Sequence, residues 1–293
     1  MDVRTRVCFA LSRRLIRRPP STRTVDYGHY ETWRTETLSH AWGTFPDEAV
    51  NGKDVLDFGC GDGQLALFLA TDKRPKSIVG VDINDKFIAR ARSKLEITNV
   101  TSDVTVEFFV GSKDALPVGD RSFDTLLAFD CMEHVMSPGP ILRDWYRVLR
   151  PGGKCLINWA PFKGPWGPHM NDVIPIPWAH VVFGEGAMFR TAAMIYDLPE
   201  YVPGFWDIDE YGHKKPNKLQ GLSTFREAGH VNQLDIGSFF RLAAEVGFRV
   251  LRFERHSFGG PAWRRLLGHG LMSVPLMGEY FISYVIIELL RPQ

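Results

Sequence analysis

The chain has 293 residues, of which 44% are hydrophobic and 24% are charged, and its formal net charge is +1. This length allows one large domain or two small ones, and the composition is ordinary for a globular protein. The near-neutral charge excludes a general attraction to nucleic acid. No apolar run reaches the roughly 18 residues that a membrane helix needs. The nearest candidate, residues 266–287, is interrupted by His269, Pro275 and Glu279, and we expect it to belong to the core.

Residues 1–20 depart from this neutrality, because six arginines face a single acidic residue, Asp2. The segment lacks the apolar stretch of a secretory signal, and its composition predicts a poorly ordered basic tail before a helical cap that ends at residue 45. Two alternatives are open: a helix on an anionic membrane surface, since Val7 and Leu11 lie between the arginines, and a transit peptide. The arginines are Arg4, Arg6, Arg13, Arg14, Arg17 and Arg18.

The four cysteines are not spaced as pairs of metal ligands, and the chain has no C-x-x-C motif. We therefore predict reduced thiols, a reducing cytoplasmic compartment and no cysteine-bound metal cluster. The cysteines are Cys8, Cys60, Cys131 and Cys155.

Apolar runs alternate with amphipathic segments between residues 46 and 160. The predicted strands are 54–58, 77–83, 104–110, 123–129 and 153–159, and the predicted helices are 61–71, 85–95 and 139–149. Near-continuous apolar strands separated by helices predict a parallel sheet that is covered on both faces.

Residues 161–234 interrupt the alternation with a long segment rich in proline and aromatic residues. A loop of this length inside a domain is usually functional or disordered, and the aromatic content argues against disorder. We predict an inserted lid that faces the acceptor. Residues 235–293 are expected to return to the core, with a helix from Asp235 to residue 246 that ends at Gly247. Strands 249–254 and 280–290 would then form an antiparallel pair at the sheet edge.

A glycine-rich turn, Asp57-Phe58-Gly59-Cys60-Gly61-Asp62-Gly63, follows the first strand and precedes a helix. Such a turn lets a ligand approach the backbone, and the free N–H groups of the helix start face that ligand. The dinucleotide fingerprint G-x-G-x-x-G would require its third glycine at Gln64, one residue beyond Gly63. The observed spacing, D-x-G-x-G-x-G, resembles the nucleotide-binding motif of class I S-adenosylmethionine-dependent methyltransferases.

The resemblance continues in five further segments, each at the end of a predicted strand or in a turn that leads to one. They are residues 80–83, 111–117, 122–124, 129–135 and 148–153. Residues 129–135 resemble the small-molecule branch of the family, which includes the quinone-biosynthesis and methyltransferase type 11 enzymes. The resemblance implies an α/β fold: a doubly wound, mostly parallel seven-stranded Rossmann-like sheet with an antiparallel edge strand and a lid-like insert after strand five.

The resemblance also implies that S-adenosyl-L-methionine is the cofactor. Asp57 would lie near its charged amino-acid end, Asp82 on the ribose, and Asp130 beneath the methyl group. Ser112 stands where the family usually has an acid, so the contacts to adenine depart from the family pattern. The implied cofactor residues are Asp57, Gly59, Gly61, Gly63, Asp82, Ile83, Ser112, Lys113, Asp114 and Asp130.

Three histidines are candidates for a catalytic base. A further catalytic candidate is Asp130, which would lie near the methyl group. His134 follows Glu133 after strand four, and the insert contains His169 and His180 with Asp172 between them. An imidazole held by a carboxylate is a good base near neutral pH. Alternatively, these histidines bond to the backbone of the lid or bind a divalent metal. The acids that metal-dependent relatives carry after strand four are not clearly present, so we predict no metal.

We therefore expect methyl transfer to a small molecule, at a hydroxyl oxygen of a sugar, a glycan-linked compound or a secondary metabolite. Aromatic rings would stack on such an acceptor or form the core of the insert itself. The alternatives are C-methylation of a quinone or lipid, a non-catalytic cofactor-binding module that regulates a membrane partner, and a dinucleotide oxidoreductase. Nucleic acid is not expected as a partner. The aromatic residues concerned are Trp166, Trp178, Phe183, Phe205, Trp206 and Tyr211 of the insert, and Tyr27, Tyr30 and Trp33 before the sheet.

Overall fold

The computed structural model describes residues 1–16, 20–259 and 262–293. Arg17 and Arg18 of the predicted basic tail lie outside the described residues. The strands are β1 Asp54–Phe58, β2 Ser77–Asp82, β3 Thr105–Val110, β4 Phe123–Phe129, β5 Leu149–Trp159, β6 Arg249–His256 and β7 Tyr284–Leu290. The helices are α1 Val3–Ile16, α2 Thr22–Val25, α3 Tyr27–Trp42, α4 Gln64–Asp72, α5 Asp85–Ile97, α6 Pro138–Val148, α7 Ala179–Val182, α8 Glu185–Tyr196, α9 Phe225–Ala228, α10 Ile236–Val246 and α11 Ala262–Met272.

The seven strands form one sheet in the order β3-β2-β1-β4-β5-β7-β6. Strands β1 to β5 are parallel to one another, whereas β7 is antiparallel to both β5 and β6. The predicted mostly parallel sheet with an antiparallel pair at its edge is therefore confirmed. Since β7 pairs with β6 on one side and β5 on the other, the antiparallel strand is the second from the edge.

The strand predicted at residues 153–159 begins at Leu149, so the predicted turn at residues 150–153 lies within β5. Two other predicted boundaries shift for local reasons. Helix α4 begins at Gln64 rather than at residue 61, because Gly63 caps it in a left-handed conformation with φ of +83°. Strand β7 begins at Tyr284 rather than at residue 280, because Gly278–Phe281 form a turn of 3-10 helix. The caps of α10 agree with the sequence: Asp235 accepts from the backbone N–H of Ser238 at 2.7 Å, and Gly247 ends the helix.

Internal contacts divide the chain into two compact units. The first, called here the sheet unit, comprises residues 34–160, 234–256 and 284–293. In this unit α4 and α5 pack against β2 and β3, and α6 packs against β5 and α10. The apolar strand residues predicted to be buried, such as Val55, Leu56 and Leu126, are inaccessible to solvent. The core thus holds the ends of the central strands in place.

The other unit, called here the insert unit, comprises residues 1–33, 161–233 and 257–283. It has its own apolar core, which includes Ile174, Phe183, Phe189, Ile195 and Phe225. The aromatic-rich insert is therefore ordered around side chains of its own. The segment 257–283, expected in the core with the last strands, groups by its contacts with the insert.

The poorly ordered tail predicted at the N-terminus is wrong for residues 3–16, which form α1. Asp2 accepts from the backbone N–H of Thr5 at 3.0 Å, which caps the helix start. The small side chains of Thr5, Cys8 and Ser12 are buried where α1 packs against α8. Small residues at this spacing form one face that permits close packing of two helices, and composition alone did not reveal it.

The prediction that residues 266–287 belong to the core is correct for Met272 and for their last part. Ile282, Val285 and Ile287 are buried, but Leu266 and Leu276 are exposed. None of the helices within the described residues is long and apolar enough to cross a membrane. The four cysteines are free thiols, and all are buried.

Candidate cofactor site

The predicted cofactor residues lie at the carboxyl ends of three neighbouring strands of the sheet unit. Asp57 is the fourth residue of β1, Asp82 ends β2, and Asp130 follows β4. Strand β1 lies between β2 and β4, where the strand order reverses. In open α/β sheets, ligands bind in the crevice at this switch point, so the topology brings these carboxylates to the expected edge.

The three positions of the turn require glycine for different structural reasons. A Cβ atom on Gly59 would lie 2.6 Å from the Cβ of Cys131, and one on Gly63 would lie 2.8 Å from a ring carbon of Phe108. These two glycines are required by packing within the protein. Gly61 also has a positive φ of +55°, but a Cβ there would meet no atom within 4 Å. The open space beside Gly61 is where a ligand can approach the backbone.

Asp82 connects the glycine turn to the end of β2. Its carboxylate accepts from the backbone N–H of Gly61 at 3.0 Å and from that of Asn84 at 2.8 Å. Burial raises the pKa of Asp82, and these backbone hydrogen bonds oppose the rise. The next residue, Ile83, is 62% exposed although it is apolar. An exposed aliphatic side chain at the sheet's carboxyl edge is suited to cover a flat ring.

Asp57 is a buried carboxylate with an unsatisfied oxygen. Its side chain is only 2% exposed, and its Oδ2 atom has no hydrogen-bond partner within the described ranges. Burial raises its pKa to about 7; the charge of Arg34 opposes the rise and that of Asp82 adds to it. An ionised carboxylate is costly in such a place unless a cation or donor pairs with it. The site therefore suits a ligand that carries a positive group.

Arg34 of α3 is a site residue that the sequence did not reveal. Its Nη1 atom donates to Oδ2 of Asp130 at 2.6 Å. Asp130 adopts a left-handed backbone conformation with φ of +48°. Nearby Glu133 is buried, and its pKa is raised by burial and by the charge of Asp130, while Arg34 opposes the rise. Arg34 thus balances three carboxylates: those of Asp57, Asp130 and Glu133.

The loop after β3 carries the residues predicted to contact adenine. The hydroxyl of Ser112 accepts from the backbone N–H of Ala115 and donates to its carbonyl, each at 3.0 Å. The hydroxyl thus closes a tight turn, which leaves it one further lone pair for a ligand. Lys113 and Asp114 are exposed in this turn.

The three candidate bases are distributed over both units. His134 ends a short 3-10 helix, Met132–His134, in the sheet unit. In the insert unit, His180 packs edge-on against Phe162 with ring centroids 5.0 Å apart, and burial lowers its pKa. No hydrogen bond among the described residues joins His169 or His180 to Asp172, whose charged neighbours are Asp207 and Arg23. The expected pairing of an imidazole with this carboxylate is therefore not formed.

Part of the predicted aromatic set forms a cluster within the insert unit. Tyr30 lies 5.0 Å from Phe205, 5.8 Å from Trp33 and 6.4 Å from Trp206, measured between ring centroids. Tyr27 also packs edge-on against Phe205, at 5.4 Å. Residues before the sheet and residues of the insert therefore build one aromatic surface, which their separation in sequence concealed.

The other predicted aromatics of the insert have different environments. Phe183 is buried in the core of the insert unit, whereas Tyr211 and Trp166 are exposed. The indole N–H of Trp178 donates to the carbonyl of Tyr280 at 2.7 Å. These rings therefore do not form a single acceptor wall.

Comparisons with known proteins agree with this geometry. The family described as "Methyltransferase domain" matches residues 56–157. Demethylmenaquinone methyltransferase of Symbiobacterium thermophilum is 30% identical over 212 residues, which cover 70% of this chain and 76% of that protein. The chain belongs to the class I S-adenosylmethionine-dependent methyltransferases.

Two further proteins are similar to this chain, one over part of its sequence and one in its fold. The 27-O-demethylrifamycin SV methyltransferase of Amycolatopsis mediterranei is 31% identical to this methyltransferase over 138 residues, covering 44% of the chain and 50% of the relative. The chain thus spans half the length of that relative. An S-adenosylmethionine-dependent methyltransferase of known structure from Mesorhizobium loti is 18% identical in sequence to this chain. The superposition covers 86% of this chain and 96% of the Mesorhizobium chain, with a TM-score of 0.50. At that identity the likeness concerns the fold.

The residues of this methyltransferase fit its cofactor. S-adenosylmethionine carries an ammonium group and a positively charged sulfur, and the site offers the unsatisfied Oδ2 atom of Asp57. Its nucleoside needs space beside the backbone, which Gly61 leaves open, and an apolar surface, which Ile83 exposes. A phosphate-bearing ligand would suit this cluster of carboxylates poorly.

Proposed function

We propose that this methyltransferase transfers a methyl group from S-adenosylmethionine to a hydroxyl oxygen of a small molecule. The observation that carries the proposal is the buried, unsatisfied Asp57 carboxylate at the start of the glycine turn. A cationic cofactor satisfies this carboxylate, whereas a dinucleotide pyrophosphate would be repelled by it. The choice of oxygen is supported by the name of the Amycolatopsis relative, which specifies an oxygen position.

The roles of the site residues follow from their positions. Asp57 would pair with the ammonium group of the cofactor, Asp82 would accept from the ribose hydroxyls, and Ile83 would pack on the adenine. When bound, the cofactor supplies a methyl group activated by a positively charged sulfur. Arg34 would then orient Asp130 through their 2.6 Å ion pair. Holding the reactants in line and excluding water supplies about 7–11 kcal/mol of the barrier in such reactions.

The proton of the acceptor hydroxyl requires a base, and we retain His134, His169 and His180 as candidates. Burial lowers the pKa of His180, which favours the neutral imidazole, the form that can accept a proton. Each histidine is replaced singly by alanine. For each variant, kcat and the affinity for the cofactor are measured and compared with those of the unaltered chain. A base contributes about 10²–10⁴-fold to kcat. The variant that lacks the base should therefore lose about 10²-fold or more in kcat and keep its affinity for the cofactor. A loss below about threefold in all three variants would mean that none of them is the base.

The reaction itself is tested with methyl-labelled S-adenosylmethionine and a panel of hydroxylated sugars, polyketide aglycones and quinols. Transfer of label to an oxygen supports the proposal, and NMR of the labelled product distinguishes an O-methyl from a C-methyl group. C-methylation is the second candidate, because the Symbiobacterium relative is named for a demethylmenaquinone. If the protein binds the cofactor but labels nothing in the panel or in a cell extract, a non-catalytic binding module is the better explanation.

A further inference from the structure

Helix α11 and the segment after it expose an unusual number of large apolar side chains in the insert unit. Trp263 is 66% exposed, Leu266 72%, Leu267 54%, Leu276 100% and Met277 53%. Single exposed apolar residues are normal on a protein surface, but a contiguous group of them marks a site of interaction. We call residues 262–277 the outer segment.

The geometry of α11 separates its apolar residues into two sets. Trp263, Leu266 and Leu267 are spaced i, i+3 and i+4, so they lie on one face of the helix. Between Trp263 and Met272, the part of the helix whose burial is described, Gly268 and Met272 are buried and Leu271 is half-buried. Gly268 and Met272 therefore anchor helix α11, whereas Trp263, Leu266 and Leu267 are left outside the packing among the described residues.

The charged side chains of the outer segment are all positive. Arg264 and Arg265 are exposed and form no ion pair within the described ranges. The guanidinium carbon of Arg264 lies 5.7 Å from the ring centroid of Phe258. The sequence contains no aspartate or glutamate between residues 257 and 278, and the first acid beyond them, Glu279, pairs with Lys163 at 3.1 Å. A surface that combines unpaired arginines, a tryptophan and leucines is complementary to an interface that is both anionic and apolar.

We propose that the outer segment docks on the surface of a bilayer that contains anionic phospholipid. Trp263 and the leucines of α11 would enter the boundary between headgroups and acyl chains, where tryptophan is favoured. Arg264 and Arg265 would remain at the level of the lipid phosphates. Leu276 lies at the tip of the adjoining turn, fully exposed, and would insert beside the helix. This inference is independent of the proposed methyl transfer.

Helix α1, the segment that the sequence suggested for membrane contact, is less suited to this role. Its residue Arg13 pairs with Glu200 at 2.8 Å, so an acidic partner neutralises part of its charge. In contrast, the arginines of the outer segment have no such partners in the described structure.

The test is flotation of the full chain with vesicles of phosphatidylcholine alone and of equimolar phosphatidylcholine and phosphatidylglycerol, at low and high salt. We expect binding to the anionic vesicles that weakens as salt rises. Each arginine near such a surface contributes about fivefold to partitioning, so neutralising both in Arg264→Gln/Arg265→Gln should reduce it about 30-fold. Trp263→Ser/Leu266→Ser should abolish detectable flotation.

Two matched controls identify the surface that is responsible. Ile97→Ser alters an apolar residue of the sheet unit that is 87% exposed, and Arg4→Gln/Arg6→Gln neutralises two exposed arginines of α1. Both should float like the unaltered chain. Failure of the unaltered chain to bind anionic vesicles overturns the proposal, as does an equal loss in the α1 control. Light scattering that shows a dimer dissociated by Trp263→Ser/Leu266→Ser would assign the surface to self-association and also overturn it.

Discussion

Replacing Gly61 by alanine should impair cofactor binding far more than it impairs folding. Gly61 and Gly52 form a matched pair: their φ angles are +55° and +66°, and an added Cβ meets no atom within 4 Å at either position. Both backbone N–H groups are hydrogen-bonded, to Asp82 and to the carbonyl of Arg74 respectively, and alanine retains these bonds. The two variants differ mainly in that Gly61 borders the proposed cofactor site and Gly52 precedes β1 at its other end.

The magnitudes follow from this comparison. A left-handed alanine costs about 1–2 kcal/mol, partly offset in the unfolded chain, so each variant should melt only a few degrees lower, at about 2–4 °C per kcal/mol. A methyl group pressed against a bound ligand costs about 1–3 kcal/mol, which corresponds to an increase of about 5- to 140-fold in Kd. Only Gly61→Ala should show this increase in the Kd for the cofactor.

Scanning calorimetry measures the loss of stability, and titration calorimetry with S-adenosylmethionine measures the affinity. Equal affinity of Gly61→Ala and Gly52→Ala would refute the idea that the open space beside Gly61 belongs to the cofactor. The larger change Gly61→Arg should remove binding altogether while its heat-unfolding transition remains cooperative.

Three further predictions concern pH and helix capping. The pKa of Asp57 is raised from 3.8 to about 7 in the folded chain, so folding binds a proton there, and the stability of the cofactor-free protein should fall as pH rises between those values. Cofactor affinity should rise with pH through about 7, because the carboxylate pairs with a cation; Asp57→Asn should flatten both dependences in pH-resolved calorimetry. Arg34→Ala removes a charge that lowers the pKa of Asp57, so the affinity midpoint should move to higher pH, and an unchanged midpoint would contradict this electrostatic role. Asp235→Ala removes a helix cap worth about 1 kcal/mol and should lower the melting temperature by about 2–4 °C without altering cofactor affinity.

The order of secondary structure and the outline of the cofactor site could be predicted from the sequence because they depend on short-range patterns. Apolar runs of strand length, separated by helical periodicity, specify a parallel sheet. The spacing of Asp57, Gly59, Gly61 and Gly63 belongs to one turn, so it can be recognised without knowing what surrounds it. The caps of α10 were predictable for the same reason.

Tertiary structure alone decided the features that depend on residues distant in sequence. Arg34 meets Asp130 across 96 positions, and no local pattern marks either as the partner of the other. The pKa of Asp57 depends on its complete burial, which its position at the end of a strand does not determine. Composition predicted a disordered tail where α1 packs through Cys8, and a buried segment where Leu276 is exposed. Periodicity indicates which residues of a segment share a face, but only packing against the rest of the chain decides whether that face is covered.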